Sequence, residues 1–237
     1  MSLPMATAPT YDVVIPSTGK KIKYRPFLVK EEKALLIAQQ SEEVSVMVDT
    51  LKNVISSCTL GKVDVEELAI FDLEYLFTQI RAKSVGEIIE LLFTCAHCDD
   101  PKAKLKINID LTTIEVKKNP DHNKKIPLYD DVGVIMKYPS METMKDLQSA
   151  GASDVEQLFE IIASSIDMVY SGEEVFHAKE QSKEELLDFV NNLTQEQFIK
   201  IQRFFETMPK MTYTVEYNCP VCSAHNSTTL EGLQSFF

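Results

Sequence analysis

Apolar residues in the first sixty positions follow two rhythms. In YDVVIPSTGKKIKYRPF two β-type runs flank Ser17, Thr18 and Gly19, residues suited to a tight turn, so a hairpin is expected. From Val29 to Gln40, and again from Glu42 to Cys58, apolar positions recur at helical spacing, as with Val44, Met47, Val48, Leu51, Val54 and Ile55. A third helix is expected from about Asp64 to Arg81, starting at Asp64 or Asp72, because a short acidic side chain accepts the free amide hydrogens of a first turn. EIIELLFTCAHC is then an apolar run ending at Cys95 and Cys98, followed by a polar turn and the alternating segment Lys104 to Leu111: strand, knuckle, strand.

Residues 116–131 are polar, carry two prolines and mix charges, so they read as an exposed connection. Beyond them VGVIMKYP is strand-like, and helices are expected to begin near Ser140, Ser153, Ser182 and Thr194. Ser153 with Glu156, Ser182 with Glu185 and Thr194 with Gln197 match the reciprocal capping pattern, in which each side chain bonds the other residue's backbone N–H. The chain closes with MTYTVEYNCPVCSAHNSTTLEGL, again strand, knuckle, strand around Cys219 and Cys222. The order repeats: IKYRPFLVKEEKALLIA parallels MKYPSMETMKDLQSA, and LLFTCAHC parallels VEYNCPVC, which suggests an ancient duplication. The expected fold class is therefore α+β and helix-rich, in two similar halves. These are 1–115 and 132–237, joined by 116–131, each with a short antiparallel sheet ending in a Cys-x-x-Cys zinc knuckle.

Composition narrows the partners. A net charge of −12 disfavours a general electrostatic grip on nucleic acid or an anionic membrane, since both are negative. No run approaches the roughly 20 apolar residues that cross a bilayer, and the first ten residues lack the basic and apolar regions of a leader, so a cytosolic protein is expected.

The five cysteines are an odd number, unsuited to a fully paired disulfide framework. In a reducing compartment, thiols spaced Cys-x-x-Cys are better read as metal ligands. Zinc takes four tetrahedral donors, and two such pairs, Cys95 with Cys98 and Cys219 with Cys222, complete that shell. The 124-residue separation of Cys95 and Cys219 makes this a staple between distant hairpins rather than a small finger. Competing readings are a thioredoxin-type redox dithiol, an iron–sulfur cluster, and free thiols. The first calls for a strand-to-helix junction, the second for a closely spaced cysteine run. His97 and His225 are expected outside the ligand set, and Cys58 as a buried small hydrophobe.

No catalytic residues are assigned. Seven glycines offer little material for a phosphate cradle, the serines show no nucleophile-elbow pattern, and His122, His177 and the acidic pairs read as surface groups. Phe198, Ile201, Phe204, Phe205 and Met208 form a broad apolar helical face read as core, and Phe236 and Phe237 are read as docking back onto the fold.

The segment IPSTGKKIKYRPFLVKEEKALLIA carries a family resemblance. With Arg25, Pro26, Phe27, Val29, Lys30, Glu31, Glu32, Lys33, Leu35 and Leu36, the helical middle and the terminal knuckle, the chain resembles the baseplate hub proteins of T-even-type tailed bacteriophages. The resemblance implies a non-enzymatic hub component or hub assembly factor. It would bind other baseplate hub proteins, not nucleic acid or membrane, in the host cytoplasm during assembly or in the virion tail. The Arg25–Leu36 segment is the candidate contact region. Two readings from other classes stand beside it: a zinc-ribbon protein associated with nucleic acid or transcription, and a Cys-x-x-Cys thiol oxidoreductase.

Overall fold

The alternation expected around Gly19 forms the first hairpin. In the computed structural model, which describes residues 7–41, 43–141, 143 and 154–236, strands β1 (Tyr11–Val14) and β2 (Lys21–Tyr24) pair antiparallel with Tyr11 opposite Tyr24. Gly19 takes a φ of 70°, a left-handed conformation that only glycine adopts without steric cost, and its amide bonds the Ile15 carbonyl.

Helices α1 (Val29–Ser41) and α2 (Val44–Cys58) follow, and both fall where the spacing places them, Glu42 lying outside the described residues. Arg25 and Glu31 fix the entry to α1. The Arg25 guanidinium meets the Glu31 carboxylate at 2.9 Å, and the other carboxylate oxygen accepts the Leu28 amide at 2.6 Å, closing the helix start. Arg25 also donates its amide to the Cys58 carbonyl. Burial alone would raise the Glu31 pKa, but the hydrogen bonds from Arg25 and Leu28 outweigh it and hold the carboxyl below its usual range.

Helix α3 spans Ile70–Ser84, six residues later than one expected start, Asp64, and two before the other, Asp72. Val63, Val65 and Leu68 are buried along an irregular path, and burial of that kind wins over helical spacing. Asp72 sits in the first turn, fully buried, and accepts the Ser17 amide from the hairpin turn. Strands β3 (Ile88–Thr94) and β4 (Lys104–Asp110) form the first cysteine hairpin.

The chain divides into two compact units along lines that differ from the expected halves. One comprises residues 1–65, 71–117 and 210–237, the other 66–70 and 118–209. Strand β5 (Glu115–Lys117), read as connection in the sequence, pairs with β10 (Lys210–Asn218), placing Lys117 opposite Lys210. The first unit thus loses the chain at Lys117 and regains it at a neighbouring register position, and both cysteine pairs belong to it. Strand β11 (His225–Glu231) completes a sheet ordered β11-β10-β5. Ala82, Ile89, Phe93, Ile109, Leu111, Ile114, Met211, Val215, Tyr217 and Phe236 make its core. Phe236 therefore docks internally, while Phe237 lies outside the described residues.

The second unit is a four-stranded antiparallel sheet in the order β6-β7-β8-β9: β6 (Lys125–Tyr129), β7 (Val132–Met136), β8 (Ile166–Ser171) and β9 (Glu174–His177). Only β7 was expected. In β6, buried Ile126 and Leu128 alternate with exposed Lys125, Pro127 and Tyr129, and its edge position tolerates a proline that lacks an N–H. The β8–β9 turn uses Gly172 at a φ of 60°. Helices α4 (Asp154–Ser164), α5 (Lys183–Asn191) and α6 (Gln195–Thr207) supply Ile162, Val190, Ile201 and Phe204 to one core with Ile126, Leu128, Val134 and Met136. Both expected capping boxes form, Ser182 with Glu185 and Thr194 with Gln197. Ser153 and most of the helix expected near Ser140 lie outside the described residues.

The two cysteine hairpins share one strand, turn, strand arrangement, but the elements upstream of each differ. A two-stranded hairpin precedes the helices of the first, whereas the second has a four-stranded sheet with a helix between β7 and β8.

Replacing Glu31 with Gln leaves Arg25 without its carboxylate and should cost about 2 kcal/mol at neutral pH, read from the denaturant midpoint. Because Arg25 and Leu28 hold the folded pKa of Glu31 below the ordinary glutamate value of 4.5, the ion pair's contribution is fully present above that value. It is lost as pH falls through the folded pKa, so the gap between wild type and Glu31→Gln should close in acid.

Candidate metal centre

The first cysteine hairpin puts Cys95 directly after β3, where the Cys95 amide bonds the Ala103 carbonyl across the knuckle. The second repeats the arrangement: Cys219 follows β10 and its amide bonds the Ala224 carbonyl. In both, the chain turns back so that an amide two residues on points at the first sulfur. His97 N–H lies 3.3 Å from Cys95 Sγ and Val221 N–H 3.4 Å from Cys219 Sγ. Packing beneath them aligns the hairpins. Phe93 and Tyr217 pack with ring centres 5.5 Å apart and planes tilted by 50°, and the Tyr217 hydroxyl donates to the Thr94 carbonyl at 2.9 Å.

The sulfurs of Cys95, Cys98, Cys219 and Cys222 consequently lie within 4.8 Å of one another. Contacts cross between hairpins, Cys95 to Cys222 at 3.7 Å and Cys98 to Cys219 at 3.8 Å. A disulfide needs about 2.05 Å, so these are free thiols brought together. A tetrahedron with metal–sulfur bonds of about 2.3 Å has edges of about 3.8 Å, and the cross-hairpin distances match that edge. The donor set fits a divalent metal that takes four thiolates.

The thiols do not share one environment. The His97 amide, followed by the Asn226 side chain and the neighbouring thiols, pulls Cys95 down to about 6. The amides of Cys222 and Val221 lower Cys219. Burial and donation to neighbouring sulfurs push Cys98 up to about 12. The turns thus favour the thiolate at Cys95 and Cys219 and burial favours the thiol at Cys98; a metal ion that takes such ligands displaces their protons. Cys222 is exposed and Cys95 and Cys219 are buried.

His97 and His225 are exposed and neither belongs to the cluster. Cys58 is fully buried away from it, and burial pushes its thiol up to about 11. Asn226 was not singled out in the sequence. It is buried; its carbonyl oxygen accepts the Ala96 amide at 3.0 Å, while its Nδ2 bonds the Ala224 carbonyl and faces Cys95 Sγ at 3.6 Å. One side chain therefore ties the two knuckles together. The only local signal was a polar residue at an inward position of β11, where Asn226 faces Tyr217 in the register.

His122, read as a surface group, is half-buried against Tyr138 and Phe204, its Nδ1 3.0 Å from the Thr207 hydroxyl. That hydroxyl donates to the Arg203 carbonyl, so His122 Nδ1 is the donor toward it.

A family model described as T4 bacteriophage base plate protein matches residues 8–237, and the chain belongs to that family. No curated protein and no solved structure matches it. Among the described residues, no helix is long and apolar enough to cross a membrane.

Replacing Asn226 with Ala leaves the buried Ala96 amide without its acceptor and should cost about 1–3 kcal/mol in urea unfolding. An unchanged midpoint would mean that the two knuckles are aligned by other contacts.

Proposed function

We propose that this member of the T4 bacteriophage base plate protein family is a structural or assembly protein of the baseplate hub. It acts by binding other hub proteins in the host cytoplasm during tail assembly, with no catalytic role, and carries one structural zinc. Family membership over nearly the whole chain supports the baseplate part. The convergence of four sulfurs supports the zinc, and it is the observation that carries the site assignment.

In this reading Cys95, Cys98, Cys219 and Cys222 hold the ion, and bound zinc supplies a closed, redox-inert four-thiolate link with no position left for a reacting water. His97, Val221 and Asn226 aim N–H groups at the sulfurs and so offset their negative charge. The link holds the β3–β4 and β10–β11 hairpins in one arrangement, a fixed surface of the kind an assembly protein offers its partners. The net charge of −12 opposes a nucleic-acid role.

Purified chain should contain one zinc by elemental analysis, and a strong chelator should lower its melting temperature. Cys95→Ser or Cys219→Ser should abolish stoichiometric zinc. A metal-free preparation indifferent to chelator refutes the zinc assignment, and reduction of a model disulfide by that preparation would favour an oxidoreductase.

Tagged chain recovered from infected cells should bring down baseplate proteins. Recovery of nucleic acid in their place would reverse the assignment, and mass analysis of finished particles separates a resident component from an assembly factor.

A further inference from the structure

Helix α1 reverses the usual distribution of polarity. Helical positions advance by about 100° each, so Glu31, Leu35 and Ala38 share one side while Val29, Lys33, Leu36, Ile37 and Gln40 share the other. The inward side is the one carrying the carboxylate: Glu31 is 6% exposed and Ala38 2%. The outward side carries the large apolar groups, with Val29 80%, Leu36 55% and Ile37 56% exposed. Glu31 is accounted for by Arg25 and the Leu28 amide. Nothing in the described fold accounts for three aliphatic side chains grouped in water on one helix face, an arrangement that marks interaction surfaces.

The Arg25–Leu36 segment thereby splits in two. Arg25 and Glu31 face inward and serve the fold, which removes them as contact residues. The outward group remains, and its geometry and charge describe what covers it. Val29 and Leu36 are seven residues apart and Ile37 lies beside Leu36, the spacing by which one helix seats against another. Lys33 stands amid this stripe with no carboxylate in ion-pair range among the described residues, whereas neighbouring Lys30 already leans on Glu31 at 3.6 Å. An ammonium within a contact that becomes desolvated requires an opposing charge.

We propose that the outward face of α1 docks an amphipathic helix of another baseplate protein, whose apolar stripe covers Val29, Leu36 and Ile37 and whose carboxylate meets Lys33. This deepens the hub reading and rests on it. Glu32 borders the stripe on the side away from Lys30, so the partner helix carries its acidic group over Lys33 and not along that border.

The test uses the full chain in infected cells with a photo-crosslinking phenylalanine derivative at Ile37 and, in a second preparation, at Ile199, an exposed position on α6. Crosslinked peptides are identified by mass spectrometry. The Ile37 probe is expected to capture an amphipathic segment of a baseplate protein containing Asp or Glu. Lys33→Glu and Leu36→Asp should each lower that yield about tenfold or more without moving the melting temperature, since both side chains face water. Replacing the captured acidic residue by Lys should restore capture by Lys33→Glu. Crosslinking of Ile37 to a second copy of this chain, or a yield unaffected by both substitutions, overturns the proposal. Capture of baseplate proteins by the Ile199 probe alone overturns it and leaves the hub reading standing. Failure of both probes, with no baseplate protein co-purifying, overturns both.

Discussion

Four sulfur atoms held within 4.8 Å of one another set the path of the first unit. They come from hairpins far apart in the chain, and between them lie residues 118–209, most of the second unit. For the sulfurs to meet, the chain must leave the first unit and return to it at nearly the same place. It does so where Lys117 and Lys210 face each other across β5 and β10. Residues 118–209 are an excursion closed at its base by a short strand pair. The cysteine cluster lies at the far end of β10 and the strand pair at its near end, so that strand has long-range contacts at both ends.

The cysteine cluster also depends on groups that are not cysteines. Bringing four sulfurs together concentrates negative charge as protons leave, and the cost is met by dipoles of the two turns and by the amide of Asn226. Asn226 does a second thing, accepting the Ala96 amide from the opposite knuckle, so charge relief and alignment come from the same side chain. Below it, the Phe93–Tyr217 contact and the Tyr217 hydroxyl repeat the link between hairpins in apolar and neutral polar form. Zinc, in the proposed reading, adds to an arrangement that these contacts already favour.

The surfaces are treated unequally. The β6 edge of the second unit's sheet is blunted by Pro127 and by the Lys200 ammonium, which takes up the Leu128 carbonyl at 2.8 Å, devices that discourage strand addition. Helix α1 in the first unit is left with aliphatic groups in water while its carboxylate is inside. In the proposed reading, one blunted sheet edge and one apolar helix face favour association through helix packing over sheet extension.

Much of this was legible in the residues. Local chemistry sufficed wherever the deciding contacts are close in sequence: the Gly19 hairpin, the Ser182 and Thr194 capping boxes, the strand–knuckle–strand hairpins and the spacing of the four cysteines. It failed where distant burial decides. Of the two expected starts for the third helix, the earlier, Asp64, is not used and the helix begins at Ile70, near Asp72, because Val63, Val65 and Leu68 are buried along an irregular path. Strands β5 and β6 sit in a stretch that proline and charge made look like linker, and are strands because β10 and β7 supply their hydrogen-bond partners. The sequence by itself determined the spacing of the four cysteines and the turns that present each pair. Only the tertiary structure decided that the sulfurs converge, that both pairs belong to one unit, and that Asn226 joins them. Those facts depend on contacts across more than a hundred residues, which no local rhythm of side chains encodes.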